Sequence, residues 1–250
     1  MYLSGNVALV TGASRGIGAA IAQELANEGA DVAVGYESDE DAASGVVSRI
    51  ERAGRRVVAV GGDLRNPAAV ERICDEAEDS LGPLGVLVSN AGIAPRQQLE
   101  EISVGDWDEV MEVNLRPAFL LAKRLAPGMR ERGWGRIIFV SSVAVFTGGL
   151  VGPHYTASKA ALIGLTRSLA ASLAPHGVTV NAVAPALIEG GGTLPGGSDV
   201  EGPTHERLAS RVPVGRLGRP EEVAQAVCSL VINPLITAQT VSVDGGMHPR

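Results

Sequence analysis

Tyr155 and Lys159 are the two side chains in this sequence whose types and spacing best suit proton transfer. Residues four apart in a helix share one face. A phenol has a pKa of ~10 and is a weak acid or base at neutral pH, but an ammonium group one turn away favours its anion. Tyr155 would then protonate a developing alkoxide or deprotonate an alcohol. Ser142, 13 residues upstream, adds a hydroxyl that can orient the substrate oxygen.

A glycine-rich turn near the N-terminus can hold a phosphate. It reads Thr11-Gly12-Ala13-Ser14-Arg15-Gly16-Ile17-Gly18 and lies between the first apolar run and the first helical pattern. Gly12 allows a tight turn, Gly16 lets the backbone approach a pyrophosphate, and Gly18 permits close packing of helix on strand. The free N–H groups at the helix start favour negative charge. A purely structural turn would have the same glycines, but this position favours a nucleotide.

The elements that must position these groups alternate between strand and helix along the whole chain. Apolar runs predict strands over Val7–Val10, Asp31–Gly35, Val57–Gly61, Val86–Val88, Ile137–Val140, Val178–Val183 and Thr240–Val243. Helical spacing follows most of them, including a long segment after Trp107 and another from about Tyr155 to Leu173. The pattern predicts one α/β domain over residues 1–250, with a Rossmann-type, doubly wound, mostly parallel seven-stranded sheet in three layers. Ligands are expected at the carboxyl ends of the strands.

A glycine- and proline-rich stretch interrupts this rhythm near the C-terminus. Residues 189–204 show no periodicity, and only one more α/β unit follows them. A domain linker is therefore disfavoured, and we predict a mobile substrate loop over about residues 189–212.

The composition excludes several classes of protein. Of the 250 residues 45% are hydrophobic, the net charge is −7, and no basic cluster is longer than the Arg55-Arg56 pair, so nucleic-acid binding is not expected. No apolar run of 18 residues and no secretory signal are visible, so we expect a cytoplasmic protein away from membranes. Cys74 and Cys228 are predicted to be core residues, and no Cys/His cluster indicates a metal.

Taken together, these motifs resemble the short-chain dehydrogenase/reductase family, and the resemblance extends from Val7 to Met247. The glycine spacing, the Asn90-Ala91-Gly92 run after the fourth strand, and the Ser142, Tyr155 and Lys159 pattern all match. The resemblance implies hydride transfer between a nicotinamide cofactor and a ketone or alcohol.

Further roles follow from the resemblance alone. Asp63 and Leu64, after the third strand, are implied to meet the adenine, and Asn90, Ala91 and Gly92 to line the cofactor site. Lys159 would also hold the nicotinamide ribose. Asn114 would keep a water in a proton relay behind the lysine. The family's closing motifs near the C-terminus are also present.

The end of the second strand bears on the choice of cofactor. An acidic residue there would bond the ribose hydroxyls of NAD and repel the 2′-phosphate of NADP. By alignment the position is Tyr36, and Arg15 and Ser38 can contact a phosphate, whereas Glu37 would repel one. We therefore predict NADP(H) in preference to NAD(H).

The sequence departs from the family after the sixth strand. Pro185 and Ile188, expected to hold the nicotinamide half, are present, but Ala186 replaces a glycine and Gly190 stands where a threonine is expected. Thr193 would substitute if the loop folds back.

Within the family the chain most resembles the 3-oxoacyl-[acyl-carrier-protein] reductases. Their carrier-docking cations correspond to Arg132, with Arg130 nearby, and to His176, which stands where an arginine is usual. Acyl-carrier or CoA thioesters are favoured as substrates over small ketones, alcohols or polyols. The alternative from another functional class is a non-catalytic dinucleotide-binding sensor.

The resemblance implies a homotetramer that buries the outer faces of the helices after Trp107 and around Tyr155. His154 is interpreted as pocket rim or surface.

Overall fold

Seven short strands form one parallel sheet in a computed structural model that describes residues 1–190 and 202–248. The strands are β1 (Val7–Val10), β2 (Asp31–Tyr36), β3 (Val57–Gly61), β4 (Leu84–Ser89), β5 (Gly135–Val140), β6 (Val178–Pro185) and β7 (Thr240–Val243). Their order across the sheet is β3-β2-β1-β4-β5-β6-β7, and every neighbouring pair is parallel. Most are buried on both faces, which explains their continuous apolar sequences. The predicted sheet is confirmed.

Helices cover both faces of the sheet and complete the predicted three layers. They are α1 (Gly16–Asn27), α2 (Glu40–Arg52), α3 (Pro67–Leu81), α4 (Val104–Asn114), α5 (Arg116–Arg132), α6 (Ala144–Thr147), α7 (Pro153–Leu173), α8 (Gly202–Ala209) and α9 (Pro220–Ile232). One core joins the sheet to α1, α2 and α9, and a second joins its other face to α3, α5 and α7. None of these helices is long and apolar enough to cross a membrane.

The strand order reverses at the centre of the sheet, between β1 and β4. Crossovers leave this point in opposite directions, which opens a crevice beyond the carboxyl ends of the two strands. The glycine turn after β1 and the Asn90-Ala91-Gly92 run after β4 therefore meet there.

The long helical segment after Trp107 is two helices rather than one. It breaks at Leu115, between α4 and α5, just before Pro117. Proline has no N–H to continue the helical hydrogen bonds, so it favours the first turn of a new helix. The break leaves Asn114 as the last residue of α4, facing the site.

The predicted loop over residues 189–212 is partly helical. Residues 191–201, which include Thr193, lie outside the described residues, but α8 begins at Gly202. Leu208, Val212 and Leu217 form a small buried cluster. The sequence analysis did not predict α8, because its short apolar pattern follows a run rich in glycine and proline. A mobile substrate loop over this segment stays a prediction.

Candidate active site

The four predicted proton-transfer residues converge at the carboxyl edge of the sheet. Ser142 lies two residues beyond β5, Tyr155 and Lys159 lie in the first two turns of α7, and Asn114 ends α4. All four are buried, with exposed fractions of 9% or less. The site is therefore largely shielded from water, which strengthens electrostatic interactions within it.

Burial raises the pKa of Tyr155, and a hydrogen bond with the Ser142 side chain acts in the opposite direction. The Lys159 Nζ atom lies 5.9 Å from the centre of the tyrosine ring. The sequence predicted that this ammonium group would favour the phenolate. In the chain by itself desolvation outweighs that effect, so Tyr155 stays a protonated phenol, the form that donates a proton.

Lys159 is held by the backbone at the end of β5. Its Nζ donates to the carbonyl oxygen of Val140 at 2.9 Å, and Ser141 Oγ donates to the Lys159 carbonyl at 2.8 Å. Burial lowers the pKa of Lys159 to about 8. The lysine is therefore still charged in most molecules at neutral pH.

Asn114 braces the segment that follows β4. Its Oδ1 accepts from the Ile93 N–H at 2.8 Å, and its Nδ2 donates to the Ile93 carbonyl and to Ser158 Oγ, both at 3.0 Å. The side chain thus ties this segment to α4 and α7. Holding a relay water stays a prediction for Asn114. Ser158, on the same face of α7 as Tyr155, was not predicted.

The turn after β1 leaves no room for side chains at its three glycines. Gly12 and Gly16 have φ angles of +61° and +54°. A Cβ atom on Gly12 would lie 2.9 Å from the Cα of Ala91, and one on Gly18 would collide with the Gly12 carbonyl oxygen. Such a cradle brings bare backbone N–H groups against a ligand, as a dinucleotide pyrophosphate requires.

Asn90 supports this turn from the neighbouring strand. Its Nδ2 donates to the carbonyl oxygens of Thr11 and Gly12, at 3.0 and 3.1 Å. Thr11 Oγ1 accepts in turn from the N–H groups of Asn90 and Ala91. Asn90 therefore shapes the glycine turn through the backbone, and the side chain of Thr11 has a bridging role that the sequence analysis did not predict.

Every residue predicted to contact the cofactor lines one of two adjoining cavities. The first is lined by Gly12, Ser14, Arg15, Gly16, Ile17, Gly18, Tyr36, Asp63, Leu64, Asn90, Ala91 and Gly92. The second is lined by Tyr155, Lys159, Pro185 and Ile188, and it shares Arg15, Ile17, Asn90 and Gly92 with the first. We call the pair the cofactor trough. It runs from the ends of β2 and β3 to Tyr155, a shape that fits an extended dinucleotide.

An ion pair that sequence reasoning missed lies at the far end of the trough. Arg65 donates from Nε to both carboxylate oxygens of Asp63, at 2.9 and 3.0 Å, and this hydrogen bonding lowers the pKa of Asp63. Glu37 lies 3.9 Å from the same guanidinium. Arg65 follows Asp63 by two residues, so its proximity could have been inferred from the strand-end position.

His154 is completely buried, so its interpretation as rim or surface was wrong. Its Nε2 lies 2.9 Å from Gln97 Oε1, and the Gln97 side chain also bonds Asp106. The segment after β4 therefore covers the start of α7. Nothing within the local sequence of α7 shows this cover.

The chain is similar to known proteins both in sequence and in structure. The family model described as short chain dehydrogenase matches residues 6–194. A 3-oxoacyl-[acyl-carrier-protein] reductase of Aquifex aeolicus is 37% identical, and one of Synechocystis is 40% identical, each over 98% of both chains. A blue fluorescent protein from a metagenomic library, solved in complex with NADPH, is 35% identical over the full length of both chains, with a TM-score of 0.90.

Proposed function

Because the chain belongs to the short-chain dehydrogenase family and is an oxidoreductase, we propose that it reduces a ketone to a secondary alcohol with NADPH. The single observation that carries this is the convergence of Ser142, Tyr155 and Lys159 on one cavity at the end of the cofactor trough. We further propose that the substrate is a 3-oxoacyl thioester.

The chemistry divides between the cofactor and this chain's own residues. NADPH, when bound, supplies the hydride. Ser142 and Tyr155 hydrogen-bond the ketone oxygen, and Tyr155 donates its phenolic proton as negative charge develops there. Lys159 places a positive charge behind the phenol, which eases the loss of that proton. The glycine turn fits the pyrophosphate, because Gly12 and Gly16 adopt positive φ angles and carry no side chain between the backbone and a ligand.

The thioester proposal is supported by the names of the two reductases to which the chain is similar. The predicted carrier-docking cations lie at the amino edge of the sheet, opposite Tyr155. Arg132 donates to the carbonyl of Leu84, the first residue of β4, and Arg130 lies 3.2 Å from His176, just before β6. A carrier bound there would have to serve the site of another subunit, whereas a CoA thioester needs no such docking.

The test is oxidation of NADPH and, separately, NADH by the purified protein with acetoacetyl-CoA. Turnover that is faster with NADPH is the expected result. If neither cofactor is consumed, the proposal of a thioester substrate is excluded. A panel of small ketones, alcohols and polyols would then test the alternative substrates. Tight cofactor binding without turnover on the whole panel would instead establish a non-catalytic sensor.

The preference for NADPH is proposed to depend on Arg15. This exposed arginine lines both parts of the cofactor trough, and it shares the first part with Tyr36 and Ser38 from the end of β2. Replacing it by alanine should raise the Kd of NADPH about tenfold, the effect of one charge-assisted contact, and change that of NADH little. Isothermal titration calorimetry measures both constants without turnover. Arg49→Ala, an exposed arginine on α2 outside the trough, is the matched control. Equal losses for both cofactors would contradict the proposal.

A homotetramer is proposed from apolar side chains left exposed around α4 and α5. Leu99, Val104, Trp107 and Phe119 are 69%, 78%, 41% and 49% exposed. Large apolar side chains that stay exposed on successive elements are typical of contact surfaces between proteins. Light scattering should give four times the chain mass of 25.7 kDa, and replacing Trp107 and Phe119 together by glutamate should shift the mass downward. A monomer in the unmodified protein would contradict this proposal.

A cytoplasmic location is proposed from the state of the two cysteines. Cys74 and Cys228 are free and buried, as predicted, and burial raises the pKa of each thiol to about 12. Both are inert core residues, as suits a reducing compartment.

A further inference from the structure

A third cavity lies beside the reacting groups, outside the cofactor trough. Ser142, Tyr155 and Ala186 line both this cavity and the trough. A ketone oxygen bonded to Tyr155 would therefore leave one substituent of the substrate in the third cavity. We call it the substituent cavity.

The substituent cavity is small and mostly apolar. Its lining includes Leu150, Val151, Leu187 and Met247. The described residues enclose a volume of about 130 Å³, whereas drug-sized ligands occupy pockets of ≈ 300–1,000 Å³. The cavity suits a short substituent rather than a long acyl chain.

Arg211 is the one charged residue lining the substituent cavity among the described residues. It is exposed, and its guanidinium makes no hydrogen bond or ion pair with another residue in the described part of the chain. Arg216, five residues on, is by contrast held by Glu222. In a chain of net charge −7, a cation without a partner beside an apolar cavity is available to a ligand.

We propose that Arg211 binds an anionic group of the ketone substrate and thereby selects anionic ketones over neutral ones. The inference rests on the proposed ketone reduction and specifies its substrate class. Two sources supply the same chemistry: the carboxylate of a short oxo acid, and a phosphate on the carrier portion of a thioester. Guanidinium binds both kinds of oxyanion with paired hydrogen bonds.

The test uses two substrate pairs that differ in charge. One pair is 4-oxopentanoate and its methyl ester, and the other is acetoacetyl-CoA and the acetoacetyl thioester of N-acetylcysteamine. The readout is the ratio of kcat/KM for the anionic member to that for the neutral member. In Arg211→Gln we expect this ratio to fall about tenfold in at least one pair, through KM, because one charge-assisted contact is lost. The pair that responds identifies the source of the anion.

Two further variants separate charge from packing. Arg211→Lys should recover part of the ratio because it keeps the positive charge. Arg207→Gln, an exposed arginine one turn earlier that does not line the cavity, should leave the ratio at its wild-type value.

An unchanged ratio in both pairs for Arg211→Gln would overturn the inference, while turnover of the neutral ketones would leave the proposed function standing. If the wild-type protein reduces none of the four, the proposed thioester substrate fails instead. The role of Arg211 is then tested by calorimetry, which measures the Kd of 4-oxopentanoate and of CoA for the wild-type protein and for Arg211→Gln. A tenfold weaker Kd for either ligand supports the role of Arg211, and equal affinities for both overturn it.

Discussion

Replacing Tyr155 by phenylalanine is expected to lower kcat for ketone reduction about 10³-fold, within the ~10²–10⁴ range of general acid catalysis. The ring is 95% buried, since its exposed fraction is 5%, and phenylalanine keeps its volume. Only the hydroxyl that bonds Ser142 and would protonate the product oxygen is removed. The Kd for NADPH and the melting temperature should remain close to wild type.

Single-turnover and steady-state rates with the best ketone substrate measure this effect. Tyr2→Phe is the matched control, because Tyr2 is 77% exposed and removed from the site. Near-normal turnover in a folded Tyr155→Phe enzyme would exclude Tyr155 as the proton donor.

The second large effect concerns Lys159 and the pH dependence of reduction. Burial lowers the pKa of Lys159 to about 8, so its ammonium form is present below pH 8 and is lost as the pH rises. The pKa of Tyr155 is raised, so the phenol stays protonated over the same range. We expect kcat/KM for reduction to be constant below pH 8 and to fall about tenfold per unit above it, as one essential group loses its proton.

Lys159→Met should remove the inflection near pH 8 and lower kcat about 10²-fold, because the charge behind Tyr155 is lost. The other lysine of the chain, Lys123, is exposed on α5, so Lys123→Met is a matched control that should keep both the rate and the inflection. If the inflection persists in Lys159→Met, another group titrates there.

The same pKa has a consequence for stability. A lysine whose pKa is lower in the folded than in the unfolded state makes the unfolded chain bind more protons between pH 8 and 10.5. The free energy of unfolding therefore rises with pH across that window. In Lys159→Met this rise of the free energy of unfolding with pH should be absent. Chemical denaturation at several pH values measures it. The same data show whether the variant is folded, so that a loss of activity is not mistaken for unfolding.

Much of the fold could be predicted because its signals are local. Strands β1, β3 and β7 have the predicted bounds, and the other four are longer than predicted by one to three residues. Strands covered on both faces must be apolar throughout, so their sequences show them directly. The alternation with helices then determines the parallel sheet, whose carboxyl edge is where the strand-end residues converge.

Three features were predicted less well, and the first of them depends on a distant segment of the chain. The buried state of His154 comes from Gln97, 57 residues earlier in the chain. The helix α8 is stabilised where Leu208 packs with Val212 and Leu217, which a glycine-rich context conceals. The division between α4 and α5 was readable from Pro117 in principle, since proline interrupts helical hydrogen bonds.

The sequence by itself determined which chemical groups are present, their order along the chain and the edge of the sheet where they meet. Spacing along a helix and position after a strand are properties of neighbouring residues, so Tyr155, Lys159 and the glycine turn could be proposed as site residues without coordinates. The tertiary structure alone decided the charge states of Tyr155 and Lys159, and which arginine beside the site has no partner. A pKa depends on desolvation and on groups brought near by the fold. Here burial keeps the phenol of Tyr155 protonated and lowers the pKa of Lys159 to about 8, close to neutral pH.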